Sequence, residues 1–281
     1  MTKYYALHPS SFKLDGGAMF GIIPKSLWEK KIAPDDKNRI EMSLRVLLIQ
    51  TEKKNIIVDT GIGDYHGDKF NSMFAITESD APLTKCLNEI NLTPDDITDI
   101  IVTHLHFDHI GGLGIKSAPL FKKATLHLHK KHYEYSQKPS LRDTGSFHHK
   151  EFEPLIQFYK EKKQINWLEA DEGTVIEGIK YKTTHGHTPF QVHPYDKKIF
   201  CMADILPTYG HIAGPWVMAY DMQPGISSCE KLELLKFCKD NQLFVLFDHD
   251  LEIICSKVVE VKNYEFTDPI KSDLSKAEVI F

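Results

Sequence analysis

Thr103-His104-Leu105-His106-Phe107-Asp108-His109-Ile110-Gly111-Gly112 decides how the rest of this chain is read, because it packs three histidines and a carboxylate directly behind the apolar run Ile100-Ile101-Val102. Imidazole nitrogen and carboxylate oxygen are ligands that suit zinc and its first-row neighbours. At the end of an extended segment, His104 and His106 stand two apart and face the same way. Asp108 and His109, on the turning part, can serve a second ion beside the first. Gly111 and Gly112 let the backbone turn without a side chain in the way. The bland alternative is an exposed, histidine-rich loop in a chain that holds 15 histidines. Chance clustering would not account for the pattern further along the chain.

Working outward, 281 residues with 42% hydrophobic content can bury a large core, and a single domain over residues 1–281 is expected. The net charge of −5 and the lack of any dense Lys/Arg block argue against nucleic acid as the main partner. The start of the chain lacks the apolar core of a signal peptide, and no later run reaches the length of a membrane span. A cytoplasmic protein without membrane attachment is the expectation. Cys86, Cys201, Cys229, Cys238 and Cys255 form an odd set without a C-x-x-C pair, which suits reduced thiols used as small apolar residues.

Upstream of the histidine cluster, Leu44 to Gln50 and Ile56-Ile57-Val58 read as a hairpin of buried strands. It ends at Asp59, which is either a turn aspartate or an acceptor that orients a ligating imidazole from behind. Tyr65 to Asp80 reads as a surface loop, Pro82 to Ile90 as an amphipathic helix, and Thr93-Pro94-Asp95-Asp96 as a capped helix start. Thr125 to His129 suggests another strand, whose His127, His129 and His132 form a rival cluster without an adjacent carboxylate or glycine turn. Pro139 to His149 suits a mobile loop, and Pro154 to Lys163 a helix. Further on, Ser227 and Glu230 have the spacing of a capping box.

Three more candidate ligands share one positional property. His187 lies just past the run Ile179 to Thr183, Asp204 just past Ile199 to Met202, and His249 just past Leu243 to Phe247. Each stands at the carboxyl end of a predicted strand, where a sheet gathers loops on one edge. Counting assigns His104, His106 and His187 to one ion and Asp108, His109 and His249 to another, with Asp204 free to bridge them.

The T-H-L-H-F-D-H-I-G-G stretch, the later G-H-T-P at Gly186 to Pro189, the Ala203-Asp204 pair after a strand and the final Phe247-Asp248-His249-Asp250 resemble the metallo-β-lactamase superfamily, in the order that family uses. The resemblance covers nearly the whole chain. Leu14 to Trp28 and Met202 to Thr208 further resemble the branch of N-acyl-homoserine-lactone lactonases and methyl-parathion-hydrolase-like enzymes. It implies an α/β fold, a four-layer αββα sandwich, holding two divalent metal ions, zinc first and iron, manganese or cobalt as alternatives. It also implies that the seven residues named above are the ligands, and a homodimer is the form expected from relatives. Two departures stand out: Phe190 and Gln191 replace the second histidine of G-H-T-P-G-H, and Pro207 stands where the compact lactonases carry a tyrosine. Tyr209 or Tyr220 is then left to reach that place.

The expected activity is a metal-dependent hydrolase in which a metal-bridging hydroxide opens a lactone or similar ester, an N-acyl-homoserine lactone first, as in quorum quenching. Asp108 is the candidate to manage the nucleophile's proton. Phe20, Phe107, Phe147 and Trp216 are candidates to border an apolar substrate portion. Alternatives are a phosphotriesterase or arylesterase of the same fold, or a protein that binds metal and ligand without turnover. A nuclease would want a basic path for a phosphate backbone, and the acidity of the chain argues against one.

Overall fold

The computed structural model describes residues 2–115, 118–260 and 265–281, and the chain divides into two compact units. The first comprises Met1–Ser11, Leu44–Ala170 and Asp273–Phe281, and the second Phe12–Ser43 and Asp171–Ser272. No helix among the described residues is long and apolar enough to cross a membrane.

In the first unit, a seven-stranded mixed sheet runs in the order Ile165–Leu168, Thr125–His129, Asp99–Ile101, Asn55–Val58, Val46–Gln50, Lys3–Leu7, Ala277–Val279. The four strands from Ile165–Leu168 to Asn55–Val58 are parallel, and the remaining pairings are antiparallel. Parallel strands are buried on both faces and so read as continuous apolar runs, which is what Ile56-Ile57-Val58 and Ile100-Ile101-Val102 are. Ile57, Ile100 and Val102 pack with Leu83, Cys86 and Leu87 of helix Pro82–Glu89 and with Phe152, Leu155, Ile156 and Tyr159 of helix His149–Glu161. The parallel strands share a direction, so Asp59 and the Thr103 to His109 segment leave the sheet on the same edge.

A second seven-stranded sheet belongs to the other unit, in the order Glu172–Ile176, Ile179–Thr184, Gln191–Tyr195, Ile199–Cys201, Phe244–Leu246, Ile253–Glu260, Glu265–Lys271. Ile199–Cys201 and Phe244–Leu246 are parallel, and two antiparallel steps bring Ile179–Thr184 into the same direction. Consequently all three strands that precede His187, Asp204 and His249 end on one edge. Helix Pro224–Asp240 packs Leu234, Leu235 and Cys238 against Phe200, Val245 and Phe247.

Three expectations from sequence need correction. Residues 65–80 are not all loop, because Asp68–Phe74 is a helix. Ser227 and Glu230 do not cap a helix, since the helix begins three residues earlier at Pro224, with proline in the first turn where its missing N–H costs nothing. The Glu230 carboxylate instead accepts from the backbone N–H groups of His185 and Gly186 at 2.9–3.0 Å. Helix His149–Glu161 carries Pro154 inside it and starts earlier than Pro154. Four of the five cysteines are buried and Cys229 is exposed.

Candidate metal centre

The first unit's ligand loop follows strand Asp99–Ile101. The chain bends at Thr103, is extended again at His106 and then turns into the short helix Phe107–Ile110. This change of conformation puts His104 and His106 on one approach and Asp108 and His109 on the next. Their rings cluster, with centroids 4.4 Å apart for His104 and His106 and 4.0 Å for His104 and His109. The donor atoms of His104 and His106 lie within 4.8 Å of each other, as do those of Asp108 and His109.

A backbone contact holds this loop. Thr60 N–H donates to the His109 carbonyl at 2.7 Å, and Gly112 N–H to the Gly61 carbonyl at 3.0 Å. A Cβ on Gly111 would strike the Ile62 carbonyl, and one on Gly112 the Thr60 carbonyl. The two glycines are therefore required for close approach of residues 60–63 rather than for a tight turn alone. Gly63 on the facing loop adds a positive φ of 78° to the same constraint.

His104 and His109 are each oriented through Nδ1. Asp59, itself at φ 61°, accepts from Thr103 N–H at 2.7 Å and from the Thr103 hydroxyl at 2.6 Å, and its Oδ2 lies 2.9 Å from His109 Nδ1. Three bonds to one carboxylate hold a conformation that is uncommon outside glycine. The Thr103 hydroxyl also lies 3.0 Å from His104 Nδ1. His106 Nε2 lies 3.1 Å from Asp143 Oδ1. Such acceptors fix ring orientation and raise ligand basicity.

In the second unit, His187 Nδ1 lies 2.9 Å from Asp221 Oδ1, and His249 Nδ1 donates to the Ser43 carbonyl at 2.8 Å. Both rings thereby present Nε2. The carboxylate of Asp204 meets them with different oxygens, Oδ2 at 3.3 Å from His187 Nε2 and Oδ1 at 3.0 Å from His249 Nε2. Lys231, buried under this region, donates to the carbonyls of His211, Ala213 and Trp216 at 2.8 Å each. Burial pulls its pKa down to about 7, and the charge of Asp221 opposes the fall.

The donor chemistry of both clusters, imidazoles beside carboxylates, fits a divalent metal site. Histidines 127, 129 and 132 belong to no such group among the described residues. His127 bonds Asp99 at 2.9 Å, His129 Nε2 lies 3.2 Å from the Ala170 carbonyl, and His132 Nε2 accepts from Leu105 N–H at 2.9 Å. The last contact makes His132 a support for the loop that carries the candidate ligands.

The aromatic candidates separate. Phe107 is half-buried and stands in a cluster with His66, Phe70, Phe74 and His148. Trp216 is half-buried at the Lys231 loop. Phe20, by contrast, is fully buried, stacked between Trp28 and His211, and offers no face to a ligand. Phe147 likewise packs into the first unit's core and against His106. Tyr209 leans on Phe247 and Phe266, whereas Tyr220 is exposed. The sequence carries no signal for Asp143, Asp221, Lys231, Tyr65 or His66, and marks His148 only as part of the polar loop Pro139 to His149.

Comparison with known proteins brings these features together. The family model of the metallo-beta-lactamase superfamily matches residues 45–249. A probable metal-dependent hydrolase from Staphylococcus aureus superimposes with a TM-score of 0.87 at 28% identity, covering 97% of each chain. AidC, described as a dizinc quorum-quenching lactonase, superimposes with a TM-score of 0.74 at 19% identity, covering 97% of this chain and 95% of its own. N-acyl homoserine lactonase AiiA from Bacillus thuringiensis subsp. kurstaki is 26% identical over 222 residues, which is 73% of this chain and 80% of AiiA.

Proposed function

This chain belongs to the metallo-beta-lactamase superfamily and is a hydrolase of it, and on that premise we propose that it is a dinuclear enzyme that opens a lactone or similar ester, an N-acyl-homoserine lactone foremost. His104, His106 and His187 would hold one ion, Asp108, His109 and His249 the other, with Asp204 between them, and the two units would act as one hydrolase domain. Four chain crossings link the units, at residues 11–12, 43–44, 170–171 and 272–273, so neither is a continuous stretch of sequence; this supports treating them as one folding entity.

The observation that carries the reading is Asp204. Its two carboxylate oxygens address the coordinating nitrogens of two different histidines, which is the arrangement a ligand shared by two cations needs. When bound, a pair of divalent ions, zinc in the first instance, would lower the pKa of a water towards neutrality and polarise the bond under attack. Asp108 would then hold the nucleophile's proton. Phe107, with Phe70 and Phe74 beside it, forms an apolar wall against which an acyl chain can exclude water. The similarity to proteins named as acyl homoserine lactonases favours the lactone among carbonyl substrates.

A panel of acyl homoserine lactones, aryl esters and phosphotriesters, offered to the metal-loaded wild type and to His109→Ala, tests this. Turnover of the lactones by the wild type, lost in His109→Ala, is expected. Preferred turnover of a phosphotriester or aryl ester would move the assignment to that class. Binding without turnover of any of them would make the protein a sensor.

A further inference from the structure

We propose that His148 is a catalytic hydrogen-bond donor, whose Nε2–H meets the leaving oxygen of the ester as its C–O bond breaks, and that Tyr65 is the positioning residue that fixes its tautomer. This rests on the ester-hydrolase reading and adds the group that serves the departing alcohol.

The placement comes from Phe107. The His148 imidazole stacks on that ring at 4.9 Å and 14°, and Phe107 sits in the chain between His106 and Asp108. The ring is half-buried, so a ligand can reach it. Asp108 is close enough for its charge to act on Tyr65, His66 and His148 alike. His148 therefore stands beside the ligand turn although it is distant in sequence.

The tautomer comes from Tyr65. Tyr65 Oη lies 2.9 Å from His148 Nδ1, and among the described residues this is the ring's hydrogen bond. Burial, with the charges of Glu151 and Asp108, drives the Tyr65 phenol well above its ordinary pKa, so its O–H stays in place and is available to donate to Nδ1, the direction we assign. Burial also lowers the pKa of His148, against the charge of Asp108, and so favours the neutral ring. A neutral imidazole accepting at Nδ1 carries its proton on Nε2. Behind it, His66 cannot compete for the role, because its Nε2 is bound to the Ile62 carbonyl at 3.1 Å.

The chemistry balances without consuming His148. Hydroxide adds to the carbonyl carbon, and the bond from that carbon to the leaving oxygen breaks with its electron pair going to the oxygen. The proton brought by the hydroxide ends on that oxygen, giving carboxylate and alcohol. His148 donates a hydrogen bond to the oxygen while its negative charge grows and keeps its own proton. Such a preorganised donor acts on the transition state more than on the bound ester.

The test uses leaving groups of different need. An alkyl lactone expels a strongly basic alkoxide, whereas a 4-nitrophenyl ester expels a phenolate that requires little help. In His148→Phe, kcat on the alkyl lactone should fall about 100-fold while kcat on the nitrophenyl ester stays within about 3-fold, the loss typical of one such donor. His148→Gln, which retains an N–H, should recover most of the lactone activity. Equal losses on both substrates, or none on either, would overturn the role of His148. A wild type that turns over neither ester would overturn the hydrolase reading and this inference with it. Should His148→Phe fail to fold, Tyr65→Phe with 15N-labelled histidine decides: the His148 ring should lose its Nε2–H preference, and an unchanged tautomer would rule out the role given to Tyr65.

Discussion

The two units supply their candidate ligands in opposite ways. In the first, His104, His106, Asp108 and His109 come from one loop, held by backbone contacts to residues 60–63 and by a single carboxylate, Asp59, that serves both Thr103 and His109. In the second, His187, Asp204 and His249 come from three strand ends and meet only because those strands share a direction. Local sequence builds the first cluster, and tertiary structure builds the second. The first should therefore tolerate loss of a distant contact better than loss of its own loop geometry, and the second the reverse.

The sharpest break between the two is Asp204, on which the scattered cluster depends. Asp204→Ala should lower kcat/KM by about 1000-fold or more, the upper range for losing a preorganised charge at a reacting centre, read by lactone turnover at fixed metal. A loss of less than tenfold would remove Asp204 from the centre.

Next come the carboxylates behind the imidazoles. Asp59→Asn and Asp221→Asn should each weaken metal affinity by about 10–100-fold, measured by competition with a chelator. Only Asp59→Asn should also lower Tm, because only Asp59 ties down Thr103 as well as a ring. Equal effects on Tm would erase the distinction drawn between the units.

A smaller effect tests the loop packing. Gly112→Ala places a methyl group against the Thr60 carbonyl and should cost about 1–3 kcal/mol in urea unfolding, as overpacking does. Gly67→Ala, which meets nothing within 4 Å, should stay within about 0.5 kcal/mol of wild type. The smallest effect concerns pH in the second unit. His211 is fully buried, with Nε2–H donating to the Met19 carbonyl and Nδ1 beside the Thr208 hydroxyl. Burial lowers its pKa from 6.5 to about 3. The unfolded chain therefore binds this proton first, and the contribution is complete above pH 6.5 and lost as pH falls towards 3. From pH 7.5 to 5.5 this one group should remove about 1 kcal/mol of unfolding free energy, and His211→Gln should reduce that slope.

Legibility in the sequence follows the same division. The loop from Thr103 to Gly112 could be read directly, because its residues lie within reach of one another whatever the fold. His187, Asp204 and His249 could be picked out only by their position after apolar runs, a cue that works because strands in one direction end on one edge. Helix Asp68–Phe74 was hidden because it buries no residue and has no side-chain cap, so it carries neither stripe nor start signal. Ser227 and Glu230 misled for the opposite reason: the spacing of a local cap was occupied by a long-range contact to His185 and Gly186. Asp143 and Asp221 are ordinary loop aspartates until the fold carries them to His106 and His187. From sequence alone the glycines after His109 suit a turn, whereas the facing backbone of residues 60–63 is what demands them.

Metal stoichiometry tests the central claim most directly. Stripped protein, reloaded with zinc and dialysed, should retain two ions per chain by inductively coupled plasma mass spectrometry, and fewer in His249→Ala. One ion or none in the wild type, or an unchanged count in His249→Ala, would contradict a paired centre that draws on both clusters.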